Sequence, residues 1–172
     1  MKHRLTDAER DRIVDGWVRD YGTMIQRTCA LYLSDPSLGE DAAQETFLKA
    51  WRSAEQFEGR NGSKVSTWLT RIAINTCRDL TRTRWYRSVD SSVDIESILA
   101  LRGDIAEEDR TLFTDVLNLP EKYKAVVLLY YYQDMTQTEI AEALEIPRTS
   151  VQNRLNRALS LLKIELEGDD ER

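Results

Sequence analysis

Apolar residues recur at intervals of three and four along most of the chain, the spacing of amphipathic helices. Thr6 and Glu9 have capping-box spacing and open a predicted helix to about Val18. Met24, Ile25, Thr28, Leu31 and Tyr32 mark a second over 21–33, which Asp35-Pro36 stops. Ser37 with Glu40 opens a third, through Ala42, Ala43, Phe47, Leu48 and Trp51 to about Phe57. The turn-rich run Glu58-Gly59-Arg60-Asn61-Gly62-Ser63 follows. Val65, Trp68, Leu69, Ile72, Ala73 and Thr76 then mark a fourth helix reaching about Trp85.

The carboxy-terminal part has a different rhythm. A short helix is expected near 95–101 and further helices from about Ile105. Val126 to Tyr132 has strand propensity, but Pro120 before it, the run from Lys122 to Ala125 and the lack of a neighbouring strand pattern predict helix. Thr136 with Glu139 repeats the capping box, and Ile140, Ala141 and Leu144 continue a helix from about Gln137 to Leu144. A turn of Glu145, Ile146, Pro147 and Arg148 follows, and Thr149 with Gln152 has the spacing to cap the next helix. Helix, short turn and helix make a helix-turn-helix, a device for reading DNA. In its second helix Val151, Leu155, Ala158, Leu159 and Leu162 form an apolar stripe that should pack inward.

The predicted fold is all-α, with two small helical domains over 1–87 and 105–172 and a flexible acidic linker over 88–104. The 172 residues are 41% hydrophobic with three prolines and seven glycines, the composition of a soluble globular protein. No stretch is long and apolar enough for membrane insertion and no leader segment is evident, so a cytoplasmic location is expected. Cys29 and Cys77 lie in apolar helical patterns and read as reduced core residues. His3 is the only histidine and no paired-cysteine spacing exists, so no metal and no cofactor are expected. Gly-rich phosphate loops and nucleophile-base pairings are absent too, which argues against an enzyme.

Net charge is -6, yet it is strongly segregated. Residues 60–87 hold seven basic side chains and Asp79 alone as an acid, a net +6, whereas residues 88–118 carry -6. Residues 146–163 hold Arg148, Arg154, Arg157 and Lys163 with no acid, a net +4. Two basic blocks around an acidic connector suit a two-point DNA binder whose linker stays off the duplex. On the polar side of the last helix Asn153 and Arg157 oppose the apolar stripe, with Gln152, Arg154 and Asn156 flanking them. Amides pair bidentately with adenine and arginine with guanine, while Arg148 and Arg154 suit phosphates. The competing reading is an amphipathic helix with a solvated basic face.

Three motifs carry a family resemblance: Gly39-Glu40-Asp41-Ala42-Ala43-Gln44-Glu45-Thr46-Phe47-Leu48-Lys49-Ala50-Trp51, Thr67-Trp68-Leu69-Thr70-Arg71-Ile72-Ala73-Ile74-Asn75, and Leu119-Pro120-Glu121-Lys122-Tyr123. On these the chain resembles the extracytoplasmic-function (ECF) group of bacterial sigma factors in the sigma-70 family, the RNA polymerase subunits that recognise promoters. The resemblance implies a region 2 domain and a region 4 domain. It implies that Asp41, Gln44, Glu45 and Leu48, which share one helix face, meet the clamp helices of the largest subunit of core RNA polymerase. It assigns promoter -10 DNA to Lys49, Ser53, Phe57, Arg60, Asn61, Ser63, Lys64, Trp68 and Asn75. Arg71, Arg78, Arg82 and Arg84 would hold strand phosphates. Phe57 and Trp68 are open to two readings, as core residues or as platforms for an extruded base.

The resemblance also assigns promoter -35 DNA to Arg148, Thr149, Gln152, Asn153, Arg154, Asn156 and Arg157. The family commonly has a basic residue where this chain has Gln152 and a small one at Asn153, which should change the preferred bases. It commonly has glycine where this chain has Glu145, so the turn either avoids a positive φ or strains Glu145. An anti-sigma factor is the further partner the resemblance implies. The alternatives are a helix-turn-helix transcriptional regulator that is not a polymerase subunit, and a helical protein-interaction scaffold.

Overall fold

The computed structural model describes residues 4–57, 64–83, 95–100 and 107–170, with side chains left undescribed at 95, 99, 107–109 and 164–170. Among these residues every regular element is helical. Helix α1 spans Asp7–Leu33, α2 Pro36–Arg52 and α3 Val65–Arg82, with a 3-10 turn at Ala54–Gln56. Then come α4 Ile95–Ala100, α5 Glu107–Leu117, α6 Glu121–Val127 with a π turn at Leu128–Tyr132, α7 Gln137–Leu144 and α8 Arg148–Asp170.

Thr6 starts α1 as its residue pattern predicts: its hydroxyl accepts from the Glu9 N–H at 3.2 Å while the Glu9 carboxylate accepts from the Thr6 N–H at 2.7 Å. The two helices expected over 6–18 and 21–33 are instead one. Nothing between Val18 and Tyr21 stops a helix, and Gly22 lies within it at a cost of about 1 kcal/mol that packing offsets. Ser34 ends α1 in the left-handed region at φ 53°. The start of α2 also differs, because Asp35 is its cap and Ser37 is not. The Asp35 carboxylate accepts from the N–H groups of Ser37 at 2.9 Å and Leu38 at 3.1 Å, and Pro36 occupies the first turn. The helix ends at Arg52, short of Phe57, and α3 ends at Arg82, short of Trp85.

The last turns of α1 are buried on every side: Thr28, Cys29, Ala30, Leu31, Tyr32 and Leu33 are all at most 4% exposed. A helix apolar all round must have partners all round. Against one side lies α2, so close that a Cβ on Gly39 would sit 2.5 Å from the Ala30 Cα. Another side meets α3, where Cys29 and Cys77 touch as free thiols. The remaining side receives α6 and its π turn through Tyr32 and Thr28.

The segment 126–132 is helical as expected. It widens into a π turn, closed where the Gln133 N–H reaches the Leu128 carbonyl at 3.2 Å. Helix α7 has the predicted bounds and its full capping box. Helix α8 begins at Arg148, two residues earlier than a Thr149 cap requires, because the Pro147 carbonyl accepts from the Ser150 and Val151 N–H groups. Thr149 is therefore inside the first turn. Val151, Leu155, Ala158 and Leu162 are buried as predicted, but Leu159 is 43% exposed. It lines a surface groove with Leu112 and Tyr131 instead of joining the core.

Gly39→Ala should lower stability by about 1–3 kcal/mol, since backbone sits where the methyl would go. Gly16→Ala meets only a flexible arginine end at 3.7 Å, and should leave stability unchanged or raise it by up to ~1 kcal/mol. Urea unfolding followed by circular dichroism measures both, and equal effects would contradict the close-approach constraint.

Candidate nucleic-acid and partner-binding surfaces

On α8 the burial pattern separates a core stripe from a reading face. Val151, Leu155 and Ala158 are buried, whereas Gln152, Asn153, Asn156 and Arg157 are exposed and Arg154 is half-buried. The amides are organised: Gln137 Nε2 donates to Gln152 Oε1 at 2.6 Å, and Gln152 Nε2 donates to Asn156 Oδ1 at 3.0 Å. This ties the first helix of the motif to the second and leaves Asn153 and Arg157 at the outermost position. Arg148 and Thr149 are exposed at the start of α8. Glu145 does take the strained alternative, with φ 55°.

On α3 the exposed side chains are Arg71, Asn75, Asp79 and Arg82, with Arg78 partly covered and Lys64 at the amino-terminal cap. Arg60, Asn61, Ser63 and Arg84 lie outside the described residues. Phe57 and Trp68 are half-buried and pack with Trp17, their ring centroids 5.1 Å apart and 5.9 Å and 5.4 Å from the Trp17 ring. Each thus spends one face on the cluster. Lys49 is engaged within the bundle, donating to Thr76 Oγ1 at 3.1 Å with Asp79 at 3.8 Å. Ser53 is the carboxy-terminal cap of α2.

Asp41, Gln44 and Leu48 are exposed on α2, and Glu45 is half-buried with Arg52 at 4.0 Å. Gln44 and Leu48 border a groove of about 660 Å³ between α1 and α2, floored by Val14, Val18, Ala43 and Phe47. The part that α1 plays in this groove escaped sequence reading. Its signal was Val18, an apolar residue that is 45% exposed. Near the same end Arg10 pairs with Glu55 at 2.6 Å and sits over the Trp51 ring, holding the Glu55 carboxyl below its ordinary pKa.

A seam between the two halves was also not foreseen, since long-range ion pairs leave no periodic trace. Tyr32 donates through its hydroxyl to Glu121, Lys124 Nζ donates to the Tyr32 carbonyl at 2.7 Å, and Gln133 donates to Thr28. Burial pushes the Lys124 ammonium below its ordinary pKa, against the pull of Glu121. Lys64 pairs with Glu139 at 2.7 Å, and Arg71 pairs with Glu145.

The hydrogen bond from Lys64, with the Thr136 N–H second, holds the Glu139 carboxyl below its ordinary 4.5. The folded-state pKa is lowered, so the pair's contribution is present above about pH 4.5 and is lost as pH falls through the lowered value. In an NMR titration Lys64→Ala should move the Glu139 midpoint up towards 4.5, with Thr136 retaining part of the depression. An unmoved midpoint would remove Lys64 from Glu139.

Residues 17–87 match the Sigma-70 region 2 family and residues 116–162 match the Sigma-70, region 4 family. The chain is 29% identical over 160 residues to the ECF RNA polymerase sigma factor SigW of Bacillus subtilis, covering 85% of this chain and 84% of that protein. It is 30% identical over 161 residues to the RNA polymerase sigma-H factor of Pseudomonas aeruginosa, covering 86% and 82%. The sigma factor RpoE of Bartonella quintana, solved with the anti-sigma factor NepR, superposes with a TM-score of 0.65 over 88% of this chain and 97% of that one. At 19% identity that likeness is one of fold.

Proposed function

Because the chain belongs to the ECF group of the sigma-70 family and is an RNA polymerase sigma factor that directs promoter recognition and transcription initiation, we propose a division of that work among its surfaces. Region 2 spans 1–87, the linker 88–104 and region 4 spans 105–172. The family matches over 17–87 and 116–162 support the end of the first domain at 87 and fall within the two domains.

The α8 face reads the -35 duplex. Asn153 and Arg157 reach base edges, Gln152 and Asn156 complete the amide row, and Arg148, Thr149 and Arg154 hold phosphates. The observation that carries this reading is the exposure of the amide and arginine face directly opposite a fully buried stripe. Because Gln152 is bonded on both sides, base discrimination falls mainly on Asn153 and Arg157.

Region 2 melts and captures the -10 strand. Arg71, Arg78, Arg82 and Arg84 bind phosphates, and Lys64, Asn75 and the residues Arg60, Asn61 and Ser63 contact the strand. The exposed faces of Phe57 and Trp68 offer stacking surface at the edge of the Trp17 cluster. Lys49 and Ser53 act at one remove, by fixing α2 against α3 and the 3-10 turn.

The α1–α2 groove, bordered by Glu40, Gln44 and Leu48, takes the polymerase clamp helices together with Asp41 and Glu45 of the same helix: carboxylates on α2 suit a basic partner and the apolar floor suits its buried side chains. An anti-sigma factor is the second protein partner, a reading supported by the likeness to a sigma factor solved with one. The chain acts with polymerase in the cytoplasm and confers specificity without being a catalyst. No described helix is long and apolar enough to cross a membrane.

The test is in vitro transcription from a random-promoter library by core polymerase with and without the chain. Protein-dependent transcripts sharing two spaced upstream motifs are expected, and none from a folded protein would favour a polymerase-independent regulator. Arg157→Ala should weaken -35 binding by about 1–3 kcal/mol and relax base preference, whereas Arg82→Ala should weaken binding evenly across promoters. Equal losses on every sequence would sink the distinction. Replacing Gln44 and Glu45 with alanine should reduce polymerase capture in a pull-down at unchanged helicity, and full capture would take them out of the interface.

A further inference from the structure

Three amides at the junction of α7 and α8 form a row with a direction. Gln137, the first residue of α7, donates through Nε2 to Gln152 Oε1 at 2.6 Å, and Gln152 donates through Nε2 to Asn156 Oδ1 at 3.0 Å. Gln152 and Asn156 are exposed on α8, and Gln137 is half-buried. A spacing of four on one helix accounts for the second bond as an ordinary surface pair. It does not account for the first, which crosses from one helix to the other.

Side-chain chemistry fixes the direction. A primary amide holds two N–H donors and two acceptor lone pairs, so glutamine in the middle both accepts from Gln137 and donates onward; a lysine or arginine there has no acceptor and a glutamate no donor. Because Gln137 donates, the Gln152 oxygen faces α7 and its nitrogen faces Asn156. Asn156 in turn spends its oxygen on Gln152, which leaves its Nδ2 protons at the outer end of the row. The row therefore finishes in a donor. In the major groove a donor suits the keto oxygens, guanine O6 and thymine O4, whereas an acceptor suits the amino groups, adenine N6 and cytosine N4.

The frame that carries Gln137 is held firmly. The Thr136 hydroxyl accepts from the Glu139 N–H at 3.2 Å, and the Glu139 carboxylate accepts from the Thr136 N–H at 2.9 Å, which pins the first turn of α7. Ile140 and Leu144 of α7 share one core with Val151 and Leu155 of α8, so neither helix slides without disturbing close packing.

We propose that Gln137 is a specificity-determining positioning residue: from α7 it sets the direction of the amide row, and through Asn156 it selects guanine or thymine over adenine or cytosine, beside the bases read by Asn153 and Arg157. The inference rests on the reading of the α8 face as the -35 reader. Gln137 acts through its partners and not on a base.

The test is selection of promoters, from a library randomised across the -35 element, by core polymerase carrying the full chain, with thermal unfolding as the check on folding. Gln137→Glu leaves only an acceptor at the start of α7. Gln152 then turns its nitrogen to α7, Asn156 donates to the Gln152 oxygen, and the row ends in Asn156 Oδ1. A carboxylate is favourable in the first turn of a helix, so this variant should fold. It should reverse the preference at one base position, from guanine or thymine to adenine or cytosine, by about two- to tenfold, the range for one hydrogen bond. Gln137→Ala, which leaves Gln152 free to turn either way, should weaken the same preference without reversing it. Asn156→Ala should erase it. Thr138→Glu, which adds the same charge outside the row, should lower binding evenly with no change of preference.

Unchanged preference in Gln137→Glu or in Asn156→Ala would overturn the inference, and so would a reversal shared by Thr138→Glu, which would make it an effect of charge. The -35 reading stands in those cases as long as Arg157→Ala relaxes base preference. Unchanged preference in Gln137→Glu, Asn156→Ala and Arg157→Ala alike would overturn that reading, and the inference with it.

Discussion

Burial of the last turns of α1 on every side is the constraint from which the rest of the structure follows. Residues 28–33 have no solvent face, so each direction around the helix needs a neighbour. The α2 side, made possible by Gly39 against Ala30, aligns the two helices whose outer edges form a groove floored by Val14, Val18, Ala43 and Phe47. The α3 side buries Leu69, Ala73, Ile74 and Cys77 and leaves Arg71, Asp79 and Arg82 exposed. The third side is covered by α6 and its π turn, which belong to the other half of the molecule. One helix end therefore supports region 2 and also anchors region 4.

Electrostatics explains how an acidic protein serves as a DNA-binding subunit. The net charge of -6 is an average over blocks that the fold keeps apart. The basic face of α8 points outward, while the cations of α3 are partly spent on acids from α7. At physiological salt the screening length is about 8 Å, so it is these short-range pairings, and not total charge, that decide which surface a phosphate backbone meets. Burial makes the other contact between the halves more durable. Lys124 has lost much of its hydration and depends on the Tyr32 carbonyl and on Glu121.

Much of this was legible in sequence wherever a local rule governs. Two capping boxes, Thr6 with Glu9 and Thr136 with Glu139, marked helix starts correctly, and the stripe of Val151, Leu155, Ala158 and Leu162 marked the buried side of α8. The errors have local causes as well. Asp35 outcompetes Ser37 as a cap because Pro36 already occupies the first turn, and α1 continues through Gly22 because packing outweighs a modest helix propensity. Leu159 fell in the predicted stripe yet lines a surface groove, since periodicity gives a direction and not a depth. The pairing of Lys64 with Glu139 and of Arg71 with Glu145 joins residues about 75 apart in sequence, which no helical periodicity encodes.

The central claim is that the chain directs promoter recognition as a subunit of RNA polymerase. Its most direct test is footprinting of a promoter by core polymerase alone, by the chain alone and by the two together. The account predicts protection at two spaced upstream sites only when both are present. Protection by the chain alone, unchanged on addition of polymerase, would contradict it.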